Sequence, residues 1–89
     1  MEGEPLNKKV ERKIKEQIKV EHFRLTDGSD GCGIKLSVII VSEEFVGKTL
    51  LERQRWVNDI ISEEMPSIHA FEMKTWTPEV WKKKKHEFE

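Results

Sequence analysis

The sequence predicts one α+β domain: a small three-stranded mixed sheet packed by helices, in the order helix, strand, strand, helix, strand, helix. Three observations predict it. Leu6, Val10, Ile14 and Ile18 recur four apart among charged residues, the spacing of a one-sided surface helix. A glycine-rich loop, Asp27 to Gly33, runs into the β-branched stretch Ile34 to Val41. Thr49-Leu50-Leu51-Glu52 has the form of a capping box, and Thr77-Pro78-Glu79 reads as cap, first helical position and dipole-favoured acid of a further helix.

The first helix is expected from Leu6 to Ile18, with a narrow apolar stripe that must pack against something. Val20 to Thr26 alternates, Phe23 and Leu25 on one face and His22 and Arg24 on the other, as a half-exposed strand does. The loop after it is rich in turn-forming residues, so a hairpin should follow. Val38-Ile39-Ile40-Val41 is apolar on both faces, which marks the central strand. The second helix should turn Leu50, Val57, Ile60 and Ile61 to one side and stop at Pro66, which lacks a donor and restricts Met65. Ser67 to Trp76 is the third strand. A helix-containing crossover allows the last two strands to lie parallel, and the helices are expected on one side of the sheet.

With 89 residues, the chain can bury a single modest core and cannot house separate cofactor and substrate domains. Residues 1–81 are read as that domain and 82–89 as a charged tail that frays. Lys and Arg number 16 against 17 Asp and Glu, so no global positive field draws the chain to nucleic acid. One Cys excludes an internal disulfide and suits a reducing compartment. The acidic start, Met1-Glu2-Gly3-Glu4-Pro5, has neither an apolar signal core nor a presequence character, and no apolar run is long enough for a membrane span. A cytoplasmic location, with the nucleus also open, is expected, with no membrane partner.

Ser42-Glu43-Glu44-Phe45-Val46-Gly47-Lys48-Thr49 imitates a phosphate-binding loop, since it follows a buried strand and precedes a helix. The chemistry fails: Ser42 stands where the first glycine belongs, and two carboxylates would face the phosphates. Asp27, Ser29 and Asp30 lack the spacing and the bidentate acid of a calcium loop. No second Cys permits dithiol exchange, and no nucleophile has a base beside it in the pattern, so the chain is read as no enzyme.

Two soft metal-ligand candidates remain. Cys32 lies between Gly31 and Gly33, which offer no wall to pack against, so the thiol should be exposed; on the residues alone it reads equally as ligand or as indifferent thiol. His69 precedes a strand that alternates through Phe71 and Met73, and taken alone it reads more readily as structural than as ligand. His22 and His86 are expected to be solvated. One thiolate and one imidazole cannot complete a four-coordinate zinc site. They can contribute to a two-iron cluster whose remaining ligands come from elsewhere.

Val38-Ile39-Ile40-Val41-Ser42, Phe45, Gly47, Leu50-Leu51, Arg53, Arg55, Val57-Asn58, Ile68-His69-Ala70-Phe71 and Thr77-Pro78-Glu79, in this order and spacing, resemble the BolA family from about Val20 to Trp81. Glu21-His22 and the single Cys32 in the hairpin loop are most similar to its cytosolic and nuclear eukaryotic subtype. The resemblance implies a fold related to the type II KH fold, with the first two strands antiparallel and the third parallel to the second. It also implies a monothiol glutaredoxin of the Cys-Gly-Phe-Ser type as partner. A 2Fe-2S cluster would be shared, with glutathione and the glutaredoxin each giving a thiolate and His69 and Cys32 the remaining ligands. No cofactor is expected on the isolated chain, itself expected to be a monomer. Arg53, Arg55 and Trp56 are expected to help position the partner. The resemblance implies an adaptor for iron-sulfur trafficking or iron sensing. The competing class is a nucleic-acid-binding regulator, since the fold resembles KH domains; it is disfavoured because the paired glycines of the phosphate-clamping loop are missing around Gly47-Lys48-Thr49-Leu50.

Overall fold

The computed structural model describes residues 3–88. Helix α1 (Leu6–Gln17) is followed by strands β1 (His22–Asp27) and β2 (Lys35–Val41), helix α2 (Leu50–Ile60), strand β3 (Ala70–Trp76) and helix α3 (Pro78–Phe88). Short 3₁₀ turns, Glu43–Phe45 and Met65–Ser67, flank α2. The sheet order is β1-β2-β3. The hairpin pair is antiparallel, with Phe23 opposite Ile40, and β3 runs parallel to β2, with Leu36 opposite Phe71 and Val41 opposite Trp76. The α+β class, element order and mixed sheet therefore stand as the sequence predicts.

Alternation along the strands decides what each sheet face carries. Leu36, Val38 and Ile40 of β2 join Val10 and Ile14 of α1, Ile18 just past its end, and Val57 and Ile61 at the end of α2 in one core, flanked by Phe23, Leu25, Phe71 and Met73. Removing these apolar side chains from water is the main stabilising term of the fold. Ile39 and Val41 point the other way and are buried as well, at 8% and 1% exposure, because α3 lies on that face. Trp81 stacks on His22 at a centroid distance of 4.3 Å, and Phe88 meets Trp76 at 5.3 Å.

Five expectations need correction. The helices occupy both faces of the sheet, which is why β2 is apolar on both sides. The segment expected to fray from Lys82 is helical to Phe88, anchored by the Phe88 ring and by Arg24, whose guanidinium donates to the Phe88 carbonyl; Glu89, like Met1 and Glu2, lies outside the described residues. His22, expected in solvent, is half-buried against Trp81. Helix α2 ends at Ile60, well before Pro66, as Ile61 turns inward and Glu64, 3% exposed, reaches Lys13 of α1 at 2.8 Å. At its other end Leu50 is 58% exposed: the first helical position lies beyond the reach of the core that Val57 and Ile61 fill.

Local chemistry accounts for the helix starts. The Thr49 hydroxyl accepts from the Glu52 N–H at 3.2 Å, and the Glu52 carboxylate accepts from the Thr49 N–H at 3.0 Å. These reciprocal bonds satisfy two backbone donors that a helix start leaves free. They hold the Glu52 carboxyl below its usual value, the Thr49 backbone N–H contributing most.

Candidate functional site

The loop between β1 and β2 is built from side chains that bond their own backbone. Asp27 accepts from the Ser29 N–H at 2.8 Å, and Asp30 accepts from the Cys32 N–H at 2.8 Å, the Asx-turn chemistry that orders short polar loops. Asp30 and Gly33 exchange backbone bonds, which closes Gly31 and Cys32 into a tight turn. Lys35 reaches back to the Asp30 carboxylate at 3.1 Å. The result presents Cys32 as an exposed free thiol at the tip.

His69 arrives from the other side of β2. Ile34, the residue before β2, accepts from the His69 N–H at 2.8 Å and from the Ala70 N–H at 3.2 Å, so the start of β3 is bonded to the base of the thiol-bearing loop. Gly33 makes the approach closer still: a Cβ built there would lie 2.8 Å from the His69 Cβ and 3.2 Å from its Cγ. Only a glycine backbone can come that near, and the φ of +139° at Gly33 is one that residues with side chains rarely adopt. Cys32 is covalently next to the residue that touches the imidazole, and His69 is exposed. The structure thus brings the two soft ligand candidates to one open edge of the molecule.

The other sequence-predicted residues are elsewhere. Arg53 donates through Nη1 to the Thr75 carbonyl at 2.7 Å and through Nε to the Lys48 carbonyl at 3.1 Å, tying α2 to the far end of β3. At about 3.3 Å of rise per residue, that is on the order of 20 Å along the strand from His69. Trp56 packs edge-on against Phe45 at 6.0 Å, with the Lys48 ammonium 5.4 Å from its ring centroid. Arg55 is exposed on the same helix. None of these three joins the Cys32–His69 edge. Sequence reading missed the parts of Gly33 and Ile34; the signal for Gly33 was a glycine at the junction of loop and strand, where a close backbone approach is a standing possibility.

Among the described residues no cluster of three or more His, Cys, Asp or Glu side chains could hold a metal ion. The donor set at this edge is one thiol and one imidazole, soft and incomplete, which fits a shared metal group and does not fit a self-contained site. No helix among the described residues is long and apolar enough to cross a membrane.

Comparison with known proteins agrees with this architecture. The family model described as BolA-like protein matches residues 11–80. The chain belongs to the BolA family. It is 40% identical over 79 residues to BolA-like protein 2 of Mus musculus, covering 88% of this chain and 92% of that protein. It is 46% identical over 74 residues to Protein BOLA2 of Arabidopsis thaliana, covering 82% and 80%. Among solved structures, a bol-like protein from Babesia bovis superposes with a TM-score of 0.78 at 46% identity, covering 85% of this chain and 88% of that one. The predicted family and fold are both correct.

Proposed function

We propose that this BolA-family chain is a non-enzymatic adaptor that binds a monothiol glutaredoxin and shares with it a glutathione-ligated 2Fe-2S cluster, in iron-sulfur trafficking or iron sensing. The observation that carries the reading is the contact of Gly33 with the His69 side chain, which sets the Cys32 loop and an exposed imidazole at one edge. His69 is the firmer ligand because its backbone is held by Ile34, whereas Cys32 sits on a turn fixed chiefly by its own polar groups. The partner thiolate and glutathione would complete the four terminal positions.

An imidazole in place of a thiolate raises the charge and the reduction potential at its iron, and binds only when neutral. This chain's own contribution is placement: Ile34 and Gly33 orient His69, and Asp30 shapes the loop that carries the thiol. The setting proposed with this reading is the cytoplasm, with the nucleus also open.

Mixing the chain with a Cys-Gly-Phe-Ser glutaredoxin, iron, sulfide and glutathione tests the reading. A heterodimer on a sizing column, with visible absorption and circular dichroism unlike those of the glutaredoxin alone, is expected. The altered spectrum should vanish with His69→Ala and weaken with Cys32→Ala. An unchanged spectrum with no complex rejects the proposal.

A second reading has one structural observation in its favour: Lys82 to Lys85 lie on ordered α3, a basic run held against the sheet. A relative from Vibrio cholerae, 28% identical over 85 residues, is described as the DNA-binding transcriptional regulator BolA. Duplex DNA binding at physiological salt that discriminates between sequences would favour this reading over the adaptor, whereas loss of all binding when these lysines become alanine would mean nonspecific charge.

A further inference from the structure

The open edge of β3 has the chemistry of a docking site for an extended peptide. In the parallel ladder, Ala70 donates to Ile34 and Trp76 accepts from the Ser42 N–H, so the backbone groups of even-numbered β3 residues face β2. Those of Phe71, Met73 and Thr75 face away from the sheet. The Thr75 carbonyl is taken by Arg53. The N–H and C=O of Phe71 and Met73 have no partner among the described residues, since β3 is the last strand of the sheet. Such a row is a template for another strand.

A groove of about 410 Å³ runs along this edge, lined by Gln54 and Asn58 of α2 and by Met65, Phe71, Glu72 and Met73. Gln54 and Asn58 are four apart on one helix face, and neither side-chain amide is hydrogen-bonded within the described structure. Primary amides offer donors and an acceptor at the pitch a peptide backbone needs. The strand edge begins at the residue after His69, so a chain paired with Phe71 and Met73 leads directly to the imidazole.

We infer that an extended segment of the partner that completes the cluster adds as a fourth strand to the β3 edge, with Gln54 and Asn58 holding its outer backbone groups. This rests on the adaptor reading. Main-chain pairing supplies affinity and registers the partner thiolate against His69.

Amide hydrogen exchange on the unaltered chain, free and in the complex assembled with glutaredoxin, glutathione, iron and sulfide, tests it. The Phe71 and Met73 amides should gain protection of about tenfold or more in the complex. Met73→Pro removes an N–H that bonds nothing in β2, so the ladder should persist, while the complex weakens roughly tenfold for each pairing bond lost. The double change Gln54→Ala, Asn58→Ala should weaken it severalfold at unchanged melting temperature. A complex that forms with both amides still exchanging freely overturns the inference and leaves the adaptor reading standing; absence of any complex overturns both. A free chain that sediments as a dimer with these amides already protected assigns the edge to a second copy and overturns it too. The exchange measurement decides alone if Met73→Pro disturbs the sheet.

Discussion

The two ends of the β2–β3 pair are built by opposite rules. At the end where both strands start, Cys32 and His69 are exposed and held by backbone bonds and small loop residues. Where both strands finish, Phe45 is fully buried, Trp56 packs on it, and Ser42, also fully buried, ties segments together through its N–H to Trp76, its hydroxyl to the Lys19 carbonyl at 2.7 Å and its oxygen to the Glu44 N–H at 3.1 Å. The difference shows a division of labour: burial of Phe45 and the bonded Ser42 anchor one end, while the other keeps a thiol and an imidazole in the open. The proposed ligands must be reachable, and reachable side chains contribute little to stability.

Phe45→Ala should strike stability hardest. Emptying that fully buried site should cost about 3–5 kcal/mol, seen as a lower urea midpoint, while whatever remains folded should keep the binding proposed for the Cys32–His69 edge. Equal loss of binding and stability would mean that the two ends are not independent.

Gly33→Ala probes the opposite end. The added Cβ must displace His69 and the backbone must leave its φ of +139°, a strain of about 1–3 kcal/mol. Cluster absorption in the mixed complex should fall more than the melting temperature does; an unchanged spectrum would show that the approach of loop and imidazole does not matter to the ligands.

Smaller still is Thr49→Ala, which removes the hydroxyl of the capping box and should cost about 1 kcal/mol without touching the cluster spectrum. Acid titration sharpens the same point. The Glu52 carboxyl is held below the ordinary glutamate value of about 4.5, so its stabilising contribution is present above that pH and is lost as pH falls through the lower, folded value. Glu4, Asp27 and Glu72 are depressed in the same direction, chiefly by hydrogen bonds from Arg12, Asn7 and Lys74 respectively. The melting temperature should drop on acidification below about pH 4.5, and Glu52→Gln should flatten a small part of that drop.

Much of the fold was legible because it is written in local patterns. The four-residue spacing of Val10, Ile14 and Ile18, the run from Ile34 to Val41 and the Thr49 to Glu52 box each state their element with few competing readings. The end of α2 was misread because Pro66 is a strong local stop, whereas the helix is ended by Ile61 entering the core and Glu64 meeting Lys13 from a distant helix. The surroundings of His22 were misread for the same reason: its partner, Trp81, is far along the chain.

By itself the sequence determined the element order, the family, the central strand and the two soft side chains, since propensity, capping and hydrophobic period act over a few residues. Only the tertiary structure decided that α3 covers the second face of the sheet, that Arg53 is spent on the Thr75 carbonyl, and that the Cys32 loop meets His69 through Gly33. Those outcomes depend on which strand edges pair and how closely two backbones approach, and parallel pairing of segments more than thirty residues apart leaves no short-range mark in the chain.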